Sequence, residues 1–118
     1  SEIGSKCESN SLEDSDWIEY MNKELQAGSW KVIAEAREGG NVGMFDPNGN
    51  IKENLIKKIT NKISASKILW EAPQKKQQVW FINNFGANVN LGNISPNDII
   101  SLECLRIGLR GDTFDNYL

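Results

Sequence analysis

Histidine is absent from these 118 residues. Without imidazole there is no Ser-His-Asp or Cys-His triad, no His-ligated zinc, and no imidazole pH switch. Chemistry must therefore run on Lys, Arg, Asp, Glu or Asn. Cysteine is scarce: Cys7 and Cys104 lie far apart and form no C-x-x-C pair. Neither a metal knuckle nor a disulfide scaffold fits, and two idle or buried thiols in a reducing compartment are expected. Long apolar runs are missing as well. Val79-Trp80-Phe81-Ile82 is typical of those present, far short of the ~20 residues that cross a bilayer. An excess of basic charge is also lacking, with 13 Lys+Arg against 16 Asp+Glu and a net charge of -3, which argues against nucleic acid as a partner. The start of the chain has no basic-then-apolar secretory layout and no initiator Met. The expectation is a soluble, cytoplasmic chain of one domain, and a piece of a longer protein.

What is present alternates between short apolar runs and amphipathic stretches. Trp30-Lys31-Val32-Ile33-Ala34 follows Gly28, a helix stop, and reads as a buried strand. Lys67-Ile68-Leu69-Trp70 repeats it, Asn88-Val89-Asn90-Leu91 is a weaker third, and Ser1–Gly4 is a truncated first. Asp16-Trp17-Ile18-Glu19 has capping-box spacing ahead of Met21 and Leu25. Asn50 is placed to cap a helix with an inner stripe of Ile51, Leu55, Ile56, Ile59 and Ile63. Val79, Ile82 and Phe85 mark a helix that stops at Gly86, and Ser95-Pro96 opens a last one through Ile99, Ile100, Leu102 and Leu105.

This β/α alternation implies α/β architecture with parallel strands and right-handed crossovers. Lys31-Val32-Ile33-Ala34-Glu35-Ala36 and Lys67-Ile68-Leu69-Trp70-Glu71-Ala72 match at an offset of 36 residues. Such a period suits one unit of a (β/α)8 TIM barrel, where ~250 residues make eight units. Residues 1–118 then read as four units, the C-terminal half of a single barrel. A half barrel leaves two unpaired strand edges and a wet inner face. Three outcomes stay open: a fragment, two copies closing one barrel, or a small open α/β sheet.

In such barrels the working groups sit at the C-terminal ends of the strands. Glu35 and Glu71 each follow an apolar stretch directly and belong at that rim. Paired carboxylates there suit a hard cation such as Mg2+, although local pairing with Lys or Arg would equally explain them. Arg37 offers a bidentate fork for a carboxylate or phosphate, and Lys6 a point charge or proton donor. Glu38-Gly39-Gly40-Asn41-Val42-Gly43 lacks the lysine and hydroxyl of a P-loop and reads as a surface loop. Asp46-Pro47-Asn48-Gly49-Asn50 begins like a calcium loop, but Ile51 takes the glycine position, so it is a turn. Asn93-Ile94-Ser95 and Arg110-Gly111-Asp112 carry meaning only outside the cell. Glu103, Arg106 and Arg110 form an expected ion-pair face on the last helix.

Taken in order, Ser1-Glu2-Ile3-Gly4-Ser5-Lys6, Glu35-Ala36-Arg37-Glu38-Gly39, Trp70-Glu71-Ala72-Pro73, Asn88 to Ile94 and Leu102 to Thr113 resemble the phosphosulfolactate synthase family. The match starts at what looks like the family's fifth strand. The resemblance implies a (β/α)8 barrel and the Mg2+-dependent addition of sulfite to phosphoenolpyruvate, giving (2R)-phospho-3-sulfolactate in a coenzyme M type of biosynthesis. It implies Lys6 as general acid and Arg37 as the second catalytic group, holding phosphate or carboxylate. Glu35 and Glu71 would meet the metal or its waters, and Glu2, Asn90 and Asn93 would bind substrate. A homo-oligomer is expected, with neither nucleic acid nor membrane as partner. The alternative is a non-catalytic structural barrel related to spores or heat stress.

Overall fold

The structure is a computed structural model, and it describes the backbone of residues 2–3 together with residues 14–36 and 43–117. Four strands alternate with helices: β1 (Glu2–Ile3), α1 (Asp14–Gln26), β2 (Val32–Ala34), α2 (Glu53–Lys62), β3 (Ile68–Glu71), α3 (Lys75–Phe85), β4 (Leu91–Gly92), α4 (Ile99–Arg106) and α5 (Gly111–Phe114). All strand pairs are parallel, and the sheet order is β1-β2-β3-β4. Crossovers between parallel neighbours are right-handed as a rule, and a sheet wound one way in sequence order carries its helices on one face, as the alternating burial of β2 and β3 indicates. A doubly wound sheet would reverse its order partway, and this one does not.

Side-chain alternation shows the consequence. Val32, Ala34, Ala36, Ile68, Trp70 and Ala72 are buried beneath the helices, while Ile33, Glu35, Leu69 and Glu71 on the other face are half-buried. The helices close the core with Trp17 and Met21 from α1, Leu55, Ile56 and Ile59 from α2, Phe81 and Ile82 from α3, and Leu102 and Leu105 from α4. Each fully buried aliphatic side chain of this kind contributes ~1.5–3 kcal/mol. Trp70 anchors the centre, stacked on Phe81 at 5.2 Å and on Phe85 at 6.0 Å.

The internal repeat has a direct structural meaning. Val32 pairs with Ile68, Ile33 with Leu69 and Ala34 with Trp70, so the pairing offset equals the 36-residue repeat offset. Equivalent residues of the repeat lie side by side.

Several boundaries differ from the sequence reading. Trp30 is 81% exposed and outside β2, with Lys31 Nζ 4.8 Å over its ring. Asp16 lies within the first turn of α1 rather than before it. Asn50 does not cap α2; that helix starts at Glu53 behind Lys52 without a side-chain cap. Asn50 is held instead in a turn with Asp46, and Ile51 bridges to Phe45. The fourth strand begins at Leu91 rather than Asn88. Ser95 caps a 3-10 turn, Pro96–Asp98, that leads into α4. Arg106, the last residue of α4, donates to the Ala87 carbonyl, and Arg110, in extended backbone beyond that helix, donates to Ser101 Oγ, so the expected ion-pair face on one helix does not form.

Candidate functional site

Glu35 and Glu71 occupy one row of the helix-free face. The last β2–β3 pair is Ala34 with Trp70, so Glu35 and Glu71 each stand one residue past it, and Glu71 is paired with Gly92. Adjacent strands lie ~4.8 Å apart, so two carboxylate-bearing positions are neighbours at the C-terminal end of the sheet. Glu2 pairs with Ile33, one row further from that end.

The two carboxylates are held differently. Glu71 Oε2 accepts the backbone N–H of Ala36 at 2.8 Å, across 35 residues of chain. Glu35 Oε2 is buried with no hydrogen-bond partner among the described residues. Gly43 closes the surroundings: it sits at φ +71°, and a Cβ there would lie 2.3 Å from the Glu35 carbonyl oxygen. Only glycine permits that approach.

Behind the row, the first turn of α3 is fastened by three glutamines. Gln77 Oε1 accepts the Gln74 N–H at 3.0 Å and its Nε2 donates to the Gly49 carbonyl at 2.9 Å. Gln78 Nε2 donates to the Ala72 carbonyl at 3.0 Å. Gln77 and Gln78 are both buried, so these bonds satisfy groups that water cannot reach. The Asp46–Asn50 segment is the expected turn: Asp46 Oδ1 accepts the N–H groups of Asn48 and Asn50, both at 2.9 Å. These bonds, the Asn50 N–H foremost, lower the Asp46 pKa. Lys76 Nζ pins the turn to α3 through the Asn48 carbonyl at 2.8 Å. Sequence reasoning missed the glutamines because Gln is ordinarily a surface residue. The Gln-x-x-Gln spacing straight after Pro73 was the available signal, being that of a capping box.

Of the expected site residues, Lys6 and Arg37 lie outside the described residues, and Glu2 is described only by its backbone register. Glu35 and Glu71 are brought together. Asn93 directly follows β4 at the same end, exposed and at φ 56°. Asn90 departs from expectation: its Nδ2 donates to the Ser66 and Ile68 carbonyls, both at 3.3 Å. Those carbonyls belong to the entrance of β3, away from the rim, so this amide serves strand packing.

The donor set suits Mg2+. This ion takes one or two carboxylates, keeps several waters and leaves the remainder to substrate oxygens. A buried carboxylate oxygen without a partner among the described residues, near a second carboxylate, is an environment in which a cation lowers the energy. No cluster of three or more acidic or thiol side chains exists among the described residues, as structural zinc or calcium would require.

Comparison with known proteins shows the family. The family model described as (2R)-phospho-3-sulfolactate synthase (ComA) matches residues 1–112. A phosphosulfolactate synthase of Methanothermobacter thermautotrophicus is 47% identical over 116 residues, covering 96% of this chain and 45% of the relative. One from Bacillus subtilis is 44% identical over 117 residues, covering 97% of this chain and 46% of the relative. Protein HEAT-STRESS-ASSOCIATED 32 of Arabidopsis thaliana is 35% identical over 96 residues, covering 80% of this chain and 32% of the relative. The chain spans less than half the length of the synthases it matches. With its model matched along nearly the whole chain, this protein belongs to the (2R)-phospho-3-sulfolactate synthase family.

Proposed function

We propose that these residues form the C-terminal half of a (β/α)8 barrel that adds sulfite to phosphoenolpyruvate, giving (2R)-phospho-3-sulfolactate. Family membership supports the reaction class. The observation that carries the site is the placing of Glu35 and Glu71 at the ends of β2 and β3, with one Glu35 oxygen buried and without a hydrogen-bond partner among the described residues. In the reaction the sulfur lone pair forms the new bond to the methylene carbon. The π electrons move to the adjacent carbon and its carboxylate, a proton is delivered to that carbon, and the phosphate ester stays intact.

Glu35 and Glu71 would meet Mg2+ or its bound waters, and the ion would neutralise the charge gathering on the substrate carboxylate. Lys6 donates the proton as general acid. Arg37 forks onto phosphate or carboxylate. Asn93, at the end of β4, and Glu2 contribute further substrate contacts. The free, half-buried Cys104 supports a reducing, cytoplasmic setting.

The test is to incubate the complete protein that carries this chain with phosphoenolpyruvate, sulfite and Mg2+, following product by phosphorus NMR. Product should form, and vanish with a chelator or with Lys6→Ala. No product at any sulfite concentration overturns the proposal. The kinship with the Arabidopsis heat-stress protein favours a second reading, a non-catalytic barrel, and a folded but inert complete protein would support it.

A further inference from the structure

We infer that the two carboxylates divide the work: Glu71 is a positioning residue that fixes the exit of β2, and Glu35 is the carboxylate that meets the divalent cation. The second half rests on the function proposed above; the first does not.

The repeat makes the comparison internal. Ala36 and Ala72 are equivalent residues. The Ala72 N–H continues the ladder to the Gly92 carbonyl at 3.0 Å, whereas the Ala36 N–H goes to Glu71 Oε2 at 2.8 Å. After Ala34 the β2–β3 ladder therefore ends, and a side chain takes the place that a backbone carbonyl holds one strand over. A carboxylate accepting an N–H is a strong, short bond, and it commits that oxygen. The backbone under Glu71 is itself held, by Gln78 on the Ala72 carbonyl and by Ala72 on Gly92. Glu71 thus reaches across from a fixed base to fix Ala36, between Glu35 and Arg37 in the chain. Glu35 Oε2 has no such engagement among the described residues. It is the oxygen left to a cation.

The experiment uses the complete protein, Mn2+ as the probe, and two readouts. Electron paramagnetic resonance of free Mn2+ gives affinity, and hydrogen exchange gives protection of the Ala36 amide. Glu35→Gln should cost more affinity than the ~10–100-fold typical of supporting groups, with Ala36 exchange unchanged. Glu71→Gln keeps an oxygen that accepts the Ala36 N–H, so protection should persist and affinity should stay within about tenfold. Glu71→Ala should speed Ala36 exchange and weaken Mn2+ binding together. Equal loss of affinity in Glu71→Gln and Glu35→Gln, with Ala36 still protected, overturns the division, because Glu71 is then a ligand. Unchanged Ala36 exchange in Glu71→Ala overturns the positioning role. Wild-type protein that binds no Mn2+ overturns the metal-dependent function and the ligand half, while the exchange data still decide the positioning half.

Discussion

Gln77 donates its side-chain amide to the Gly49 carbonyl at 2.9 Å, both groups buried, and so joins the turn after the Gly-rich loop to the helix after Glu71. The same side chain accepts the Gln74 N–H. Replacing it with Met preserves bulk but leaves a buried carbonyl and an N–H unpaired. Gln77→Met should destabilise the protein by about 1–3 kcal/mol, read as a lower urea midpoint at unchanged slope. A neutral result would mean that water reaches this joint.

Gly43 and Gly86 form a matched pair for a second test. Both have positive φ, +71° and +94°, but a Cβ at Gly43 would meet the Glu35 carbonyl whereas one at Gly86 meets nothing within 4 Å. At φ 94° and ψ 170° Gly86 lies in a region essentially reserved for glycine, so Gly86→Ala should cost a backbone term of ~1–3 kcal/mol. Gly43→Ala should cost clearly more and should also weaken divalent cation binding, since it displaces Glu35. Equal urea shifts for the two variants would contradict the packing described.

Much of this fold was legible in the sequence because it follows from period and repetition. The runs around Val32 and Ile68 formed strands, Gly86 ended a helix, and the matching hexapeptides signalled repeated β/α units with parallel strands. The positions that misled were those decided by partners distant in sequence. Trp30 looks like a strand residue, yet β2 starts two residues later and leaves it exposed. Asn50 has the chemistry of a cap, but its side-chain Oδ1 accepts from Lys76 Nζ at 3.2 Å and its backbone is held in the turn by Asp46. At the site, the adjacency of Glu35 and Glu71 was readable from the repeat. The unequal treatment of their oxygens was not, since it depends on where the β2–β3 ladder stops.

Acid should expose the Asp46 turn. Its pKa lies below the ordinary 3.8, chiefly because the Asn50 N–H favours the charged form, and that of Asp112 is lowered by its bond to Lys75. A depressed folded pKa contributes stability above the unfolded value, and that contribution is lost as pH falls through the folded one. Asp46→Asn should therefore be slightly less stable than wild type near neutrality, with the gap closing as pH drops below about 4. Urea midpoints measured from pH 7 to 2.5 test it, and a gap that widens in acid contradicts the assignment.

Neighbouring like charges with one oxygen unpartnered should make the cation-free site a liability. In chelator, Glu35→Gln should raise stability by about 0.2–1 kcal/mol. At a cation concentration 100 times the Kd, wild type should gain ~2.7 kcal/mol that the variant does not. Urea midpoints with and without Mg2+ measure both. A variant less stable than wild type in chelator would show that the Glu35 oxygen already has a partner within the protein.

The most direct test is paramagnetic broadening of the phosphoenolpyruvate phosphorus resonance, with Mn2+ standing in for Mg2+ in the complete protein. Broadening beyond that from free Mn2+, abolished by Glu35→Gln, is the predicted result. Broadening that is absent in wild type, or identical in the variant, would contradict an enol phosphate bound at a cation held by this rim.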